Sequence, residues 1–402
     1  MEKVFIVAAK RTPIGAFGGS LKNTSAGNLA AVAIKGALEA AKLNADKIDE
    51  VIVGNVVGAG QGMGVGRQAA LFAGIPDTVP AYGVNMVCGS GMKTVMDAVS
   101  HIRSGDAEIV VAAGVEVMSQ IPFAAPSSIR DGNKMGNLEL KDLLVADGLT
   151  DVYNQYHMGV TAENVAKEIG LTRQQQDEYA LSSQQKAVVA IEAGKFKDEI
   201  VPVEVKQRRE TVLFDTDEYP KANATMEALS KLRPAFDREG TVTAGNASGI
   251  NDGASAIIVA SESAVKAHGL TPIAEIVSYA QSGLDPKIMG LGPVESVNKA
   301  LAKAELTVND IDVYELNEAF AAQALGVIHQ LSETNQVPVN AIQDKANFNG
   351  GAIALGHPLG ASGNRILVTL VHELHKQNGQ YGVASLCVGG GMGTAVVIKA
   401  VK

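Results

Sequence analysis

Only two cysteines occur in the chain, Cys88 and Cys387, and each is followed by glycines. Cys88 lies in Val84-Asn-Met-Val-Cys-Gly-Ser-Gly-Met-Lys93, where an apolar run meets Gly-Ser-Gly and a helical pattern follows. A sulfur at that junction faces the positive end of a helix and several free backbone N–H groups, which favour thiolate over thiol. A free thiol titrates near ~8.5 and each unit of depression corresponds to ~1.4 kcal/mol, so a helix terminus plus one histidine makes thiolate substantial at neutral pH. The position equally suits a buried structural cysteine, since free cysteines are among the most buried side chains. Cys387 stands in Val383-Ala-Ser-Leu-Cys-Val-Gly-Gly-Gly-Met-Gly393. Three glycines after a strand let backbone N–H groups approach a ligand closely, as an oxyanion hole requires, and they also suit a plain β-turn between two core strands.

His357 belongs to Asn349-Gly-Gly-Ala-Ile-Ala-Leu-Gly-His-Pro-Leu-Gly-Ala-Ser-Gly363. Pro358 disfavours helix at the histidine, so the imidazole sits on an irregular loop just before a helix. His372 and His375, three apart on the predicted helix, read as a solvated face rather than metal ligands. Two cysteines in distant segments give no ligand spacing, and no metal site is expected. Asn317 follows a strand and opens Asn317-Glu-Ala-Phe320, where it serves either as a helix N-cap or as a holder of a water or carbonyl in a site. The alternating glycines from Gly58 to Gly66 offer no register of G-x-G-x-x-G, so a dinucleotide fingerprint fails. No serine lies in G-x-S-x-G either, which removes the hydrolase elbow. Cysteine chemistry is what remains.

The elements that must position these residues follow an α/β rhythm. Short β-branched runs at 4–7, 51–53, 109–113, 256–259 and 395–398 alternate with helical stretches such as 29–43 and 92–102. Residues 119–249 break the rhythm with Pro122, Pro126, Pro202, Pro220 and Pro234 and polar runs, which reads as a long insertion whose parent unit resumes with a strand at 256–259. On either side lies a weak repeat. Ile48-Asp-Glu-Val-Ile-Val-Gly-Asn55 resembles Ile311-Asp-Val-Tyr-Glu-Leu-Asn317, and Gly89-Ser-Gly91 with its helix resembles Ala361-Ser-Gly363 with its own. Either the chain is duplicated, each half giving one cysteine near a pseudo-twofold axis, or two α/β units share spacing by chance.

Composition narrows the function classes. A length of 402 residues implies two or three domains, and 46% hydrophobic residues suffice for real cores. A net charge of −9 with 4% aromatics and no Trp argues against a nucleic-acid binder. Two cysteines cannot form a disulfide framework, so both are expected free in a reducing, cytoplasmic setting. No run approaches the ~18 apolar residues of a membrane span, and the first residues read as a strand rather than a signal segment.

Taken together, Asn85-Met-Val-Cys-Gly-Ser-Gly91, Asn317-Glu-Ala-Phe320, Gly356-His-Pro-Leu-Gly360 and Cys387-Val-Gly-Gly-Gly-Met-Gly393 resemble the thiolase family, most closely its biosynthetic branch. The likeness extends to Lys10-Arg-Thr-Pro13, Tyr156-His-Met-Gly159 and Thr243-Ala-Gly-Asn-Ala-Ser-Gly-Ile-Asn-Asp-Gly253 and so spans nearly the whole chain. It implies duplicated α/β halves in an α-β-α-β-α layering, with an N-terminal half at 1–118 plus 250–272, an inserted loop domain at 119–249 and a C-terminal half at 273–402. The implied reaction is reversible condensation of two acetyl-CoA to acetoacetyl-CoA and CoA, with the CoA thioester as substrate and no resident cofactor. Cys88 is then the acyl-accepting nucleophile, His357 its activator and Cys387 the acid/base at the α-carbon of the second acetyl-CoA. Asn317, through a held water, joins His357 in one oxyanion hole, and the N–H groups of Cys88 and Gly389 form the other. His157 and Ser248 correspond to residues of the pantetheine channel, Met158 to the acyl pocket, and Lys221 to a basic position near the adenosine. Lys206 to Arg209 is a weaker candidate there, because residues 195–240 carry 9 basic against 10 acidic residues and show no phosphate patch. The family also implies a homotetramer.

Three rivals stand beside this reading. A degradative 3-ketoacyl-CoA thiolase would accept longer chains. A condensing enzyme using an acyl-carrier protein needs different histidine pairs and usually one cysteine, whereas Cys387 and Asn317 are both present. A silent CoA-binding scaffold has no use for so complete a set of reactive residues.

Overall fold

The β-branched runs become strands of one mixed sheet, because residues covered on both faces must be apolar throughout. A computed structural model describes residues 2–207 and 210–402. Its main strands are β1 (Val4–Arg11), β2 (Glu50–Gly54), β3 (Ala81–Val84), β4 (Ile109–Val117), β5 (Asn251–Ser261), β6 (Ala274–Gly283), β7 (Val313–Leu316), β8 (Tyr381–Val388) and β9 (Met392–Ala400). The principal helices are α1 (Ala26–Ala41), α2 (Val65–Phe72), α3 (Ser90–Ser104), α4 (Met158–Ile169), α5 (Arg173–Glu192), α6 (Gly292–Lys303), α7 (Ala321–Thr334) and α8 (Leu359–Lys376). Strand order across the sheet is β7-β8-β9-β6-β1-β5-β4-β2-β3.

That order contains the duplication. In the first half β2 and β4 are parallel, β4 and β5 antiparallel, and β5 and β1 antiparallel. In the second half β7 and β8 are parallel, β8 and β9 antiparallel, and β9 and β6 antiparallel. The repeated sequences fall on β2 and β7 and at the starts of α3 and α8, so the resemblance is structural repetition rather than chance spacing. The halves join where the equivalent strands β1 and β6 pair antiparallel, over Phe5↔Glu275 and Ile6↔Ala274 alone.

Most of the adhesion between halves comes from the middle layer. Helices α3 and α8 lie between the half-sheets and share a core with Ile52, Val110, Ile257, Val313, Leu386 and Val396. A second core lies under α1 and α2, and a third under α6 and α7, which completes five layers. The two central helices cross at equivalent glycines. A Cβ on Gly91 would stand 2.8 Å from Asn364 N and Gly360 O, and one on Gly363 would stand 2.6 Å from Met92 N. Only glycine permits this approach. Both contacts are in the first turns, so the residues preceding each helix share one end of the crossing.

After β4 the chain leaves the sheet and returns at β5, and α4 and α5 are formed in between. Buried Arg11 of β1 ties this excursion down, donating to Glu199 at 2.6 Å and to Asp217 at 2.7 and 2.9 Å. Removing one partner of such a buried set costs about 3–5 kcal/mol. Among the described residues no helix is long and apolar enough to cross a membrane.

Candidate active site

Cys88 occupies a tight turn immediately before Gly89, the N-cap of α3. The turn is forced by Val87, whose φ of 46° is left-handed and costs a β-branched residue ~1–3 kcal/mol. Hydrogen bonds hold it there: Val87 N donates to Asn85 Oδ1 at 3.0 Å, and Ser90 Oγ donates to Val87 O at 2.6 Å. The thiol is buried, and the nearby N–H groups of Gly389 and of Cys88 itself act to lower its pKa. Burial nevertheless outweighs these donors and pushes the thiol up to about 11. Against the sequence expectation of a resting thiolate, burial favours the neutral thiol, and the sulfur needs a base.

Cys387 ends β8, and the three glycines make the hairpin turn into β9, with Val388 opposite Met392. Gly390 and Gly391 take φ of 88° and 87° there. The β-turn reading holds, and the same turn brings Gly389 against the Cys88 loop, where a Cβ on it would stand 3.3 Å from Val87 Cγ1. Cys387 is fully buried, and burial together with neighbouring Cys88 pushes its thiol well above the ordinary range. The two cysteine turns pack on each other, a Cβ on Gly89 standing 2.9 Å from Val388 Cγ2.

His357 precedes Pro358, the N-cap of α8. Its ring is buried; Nδ1 lies 2.6 Å from Ser362 Oγ, and Nε2 has no partner. The Ser362 hydroxyl donates to Pro358 O at 2.9 Å, so its oxygen is left to accept from Nδ1–H. That fixes the tautomer: Nε2 carries the free lone pair. Burial, aided by the Arg365 guanidinium, pushes the imidazole down to about 4. A neutral ring with a bare, buried nitrogen is a general base without competing partners. The helix begins at Leu359, two residues after the histidine, which brings Ser362 onto its first turn, under the ring.

Asn317 lies just past β7, its N–H donating to Ser385 O at 3.0 Å beside the strand that ends in Cys387. It is not a helix cap, because α7 starts at Ala321 with Phe320 as N-cap. Its side-chain Oδ1 and Nδ2 are buried with no partner. A buried amide with both ends unpaired costs roughly 1–3 kcal/mol per group and awaits something polar.

A cavity of about 520 Å³ is lined by His357, His157, Ser248, Phe236, Phe320 and Tyr219, among others; His357 is the member of the preceding set that reaches it, and Cys88, Cys387 and Asn317 lie behind its lining. Such a volume and a mostly apolar wall with few polar atoms suit a slender organic arm. His157 stacks on Phe236 at 4.5 Å and accepts the Gly159 N–H on Nδ1, so its Nε2 is the protonated nitrogen. Burial lowers its pKa. Ser248 is positioned by its N–H donating to Ala319 O at 2.9 Å. Met158 packs in one cluster with Cys387 and Phe320, and its sulfur stands 3.7 Å from where a Cβ on Gly389 would be. Lys221 is exposed, with Nζ 5.6 Å from the centroid of Tyr219 at the cavity wall. Lys206 is exposed on the strand Val203–Gln207, while Arg208 and Arg209 lie outside the described residues.

Sequence reasoning missed Glu116, Ser362 and the aromatic wall. Glu116 accepts from Asn55 Nδ2, Val56 N, Val57 N and Gly360 N at 2.9–3.1 Å and so bridges the halves at the entrance to α8. Burial pushes its carboxyl up to about 7 against these donors. A lone carboxylate inside the otherwise apolar run 109–117 was the available signal. His372 is not on a solvated face: it is half-buried, with Nε2 2.9 Å from Ala9 O. His375 is exposed, with Nε2 2.7 Å from Ile273 O. Among the described residues no three His, Cys, Asp or Glu cluster to hold a metal ion.

Family models described as "Thiolase, N-terminal domain" and "Thiolase, C-terminal domain" match residues 4–263 and 270–400. The chain is 54% identical over 400 residues to an acetyl-CoA acetyltransferase of Cupriavidus necator, covering 99% of this chain and 100% of that one. Among solved structures it is similar to the Bacillus anthracis acetyl-CoA acetyltransferase, with a TM-score of 0.95, 44% identity and coverage of 100% and 99%. It is likewise similar to human mitochondrial 3-ketoacyl-CoA thiolase in complex with CoA, with a TM-score of 0.93, 46% identity and coverage of 100% and 98%.

Proposed function

Because the chain belongs to the thiolase family and is an acyltransferase, we propose that it condenses two acetyl-CoA reversibly to acetoacetyl-CoA and CoA, by ping-pong through an acetyl group on Cys88. The observation that carries this reading is the packing of the two unbridged cysteine turns from the two halves on each other, a Cβ on Gly89 standing 2.9 Å from Val388 Cγ2 and one on Gly389 3.3 Å from Val87 Cγ1.

His357 Nε2 takes the Cys88 proton and the thiolate attacks the acetyl carbonyl. The N–H groups of Cys88 and Gly389 hold the tetrahedral oxyanion. CoA leaves as a thiolate and is protonated by Cys387, which becomes a thiolate in turn. That second thiolate removes an α-proton from the next acetyl-CoA. The burial that makes Cys387 hard to ionise makes its thiolate a strong base, suited to a weakly acidic carbon. The enolate oxygen is stabilised by protonated His357 and by Asn317 through a water, and the carbanion attacks acetyl-Cys88. Release of acetoacetyl-CoA regenerates the Cys88 thiolate, which recovers its proton from His357, so protons and charge balance over the cycle. A thioester intermediate keeps the acyl group activated where an oxygen ester would not. Each oxyanion donor is worth ~2.7–4 kcal/mol.

The apolar cavity supports pantetheine binding along His157 and Ser248, with Lys221 toward the adenosine end. Met158, packed close to Gly389 and Cys387, supports a short acyl group. The 46% identity to a 3-ketoacyl-CoA thiolase favours a second reading, cleavage of longer chains. Exposed Phe123, Met135 and Leu140 support a homotetramer, and two free cysteines support a cytoplasmic setting. Intact-mass analysis after mixing with acetyl-CoA tests the central step: one acetyl group per chain is expected, and none on Cys88→Ala. Label retained on that variant rejects the assignment.

A further inference from the structure

Glu318 takes no part in the steps above, yet its buried carboxylate collects four donors from three separate segments. Oε1 accepts from Asn347 Nδ2 at 2.9 Å and Tyr179 OH at 3.3 Å. Oε2 accepts from Ser183 Oγ at 2.6 Å and Ile353 N at 3.3 Å. Burial and Glu318 itself push the Tyr179 phenol up, which keeps it a donor.

The consequences run in two directions from this carboxylate. Toward the strand, Asn347 adopts a left-handed φ of 48° and clasps Leu316, accepting from its N–H at 2.9 Å and donating to its carbonyl at 2.8 Å. The backbone on both sides of Asn317 is therefore fixed, while the Asn317 amide itself is left unpaired. Toward the histidine, Ser183 Oγ accepts the Gly351 N–H at 3.0 Å, and Ile353 lies in the helical turn Ala352–Leu355 that leads to Gly356 and His357. A Cβ on Gly351 would sit 2.3 Å from the Glu318 carboxyl carbon, so the two residues are fitted to each other.

We propose that Glu318 is a positioning residue that sets the Asn317 amide and the His357 imidazole in register on one oxyanion. The inference rests on the reading of those two residues as joint holders of the enolate. Tyr179 and Ser183 lie on α5, so the excursion between β4 and β5 contributes to the register without touching the reacting atoms.

The test is Glu318→Gln, which keeps size but turns an N–H toward donors, with Ser183→Ala as the milder companion. Acetyl incorporation measures the competent fraction, and condensation is then expressed per labelled chain. Misplacement of catalytic groups by ~1 Å costs ~10²-fold, so Glu318→Gln is expected to lose about 10- to 100-fold in condensation kcat per labelled chain. Its KM is expected within about threefold of the parent's, since the ligand contacts are untouched. Ser183→Ala, which keeps the carboxylate, is expected to lose about 3- to 10-fold and carries the test should Glu318→Gln not fold. Parental condensation per labelled chain in Ser183→Ala, or in a folded Glu318→Gln, overturns the proposal. Failure of the parent enzyme to take label would instead overturn the acetyl-Cys88 reading.

Discussion

Replacing Ser362 with alanine probes the base at its least visible point. The hydroxyl lies 2.6 Å from His357 Nδ1 and commits its own proton to Pro358 O at 2.9 Å, so it is the acceptor that keeps the ring proton away from Nε2. Both residues are buried, with exposures of 4% and 1%, so losing the hydroxyl leaves the ring N–H without its protein partner. An unsatisfied buried N–H costs ~1–3 kcal/mol. The ring escapes that cost by moving its proton to Nε2, which converts the proposed base into a donor. If the anchor biases the tautomers by that amount, Ser362→Ala should acetylate Cys88 roughly 5- to 150-fold more slowly. The assay is rapid mixing with acetyl-CoA, acid quench and intact mass. KM should change little, because Ser362 does not line the cavity. Label appearing within twofold of the parental rate refutes the tautomer argument.

Cys387→Ala should accept an acetyl group yet fail to condense; condensation that survives removes Cys387 as the acid/base. His357 offers a pH test. Its folded value of about 4 lies below the ordinary ~6.5, so above pH 6.5 it contributes nothing and below it the unfolded chain takes the proton first. Between pH 7 and 5 the parent should lose about 2 kcal/mol that His357→Asn does not, and parallel urea midpoints across that range would contradict the burial of the ring. Gly91→Ala should destabilise by ~1–3 kcal/mol, because its methyl meets backbone atoms of α8 rather than a yielding side chain; an unchanged melting temperature would show that the crossing can relax. Turnover over a series of 3-ketoacyl-CoA lengths should fall as the chain grows past the wall at Met158, and equal turnover of long chains favours the degradative reading.

Periodicity and residue type made much of this molecule legible. The runs at 4–7, 51–53 and 109–113 announce β1, β2 and β4 because strands covered on both faces tolerate only apolar side chains. The repeated helix entry at Gly89-Ser-Gly91 and Ala361-Ser-Gly363 pointed to the pair of central helices. By contrast β6 carries Ser278, Tyr279 and Gln281 on an alternating pattern with one face partly open, and no β-branched run marks it. At the site, the reactive types in glycine-rich turns could be singled out from Cys88, His357 and Cys387, since those turns have few other uses. Ser362 could not, because its role arises from a contact at the junction of loop and helix, and Glu116, marked in the sequence only as a lone carboxylate in an apolar run, acts through a contact 244 residues distant. The clamp of Arg11 on Glu199 and Asp217 is equally invisible, joining positions 188 and 206 residues apart.

At the crossing of α3 and α8 main chain packs on main chain with no side chain between, so a tilt of one half against the other finds nothing soft to yield there. A substrate would therefore meet a cleft floor already shaped for it. Little of its binding energy is diverted into rearranging the protein, and free and loaded forms should superimpose nearly atom for atom around the floor of the cleft.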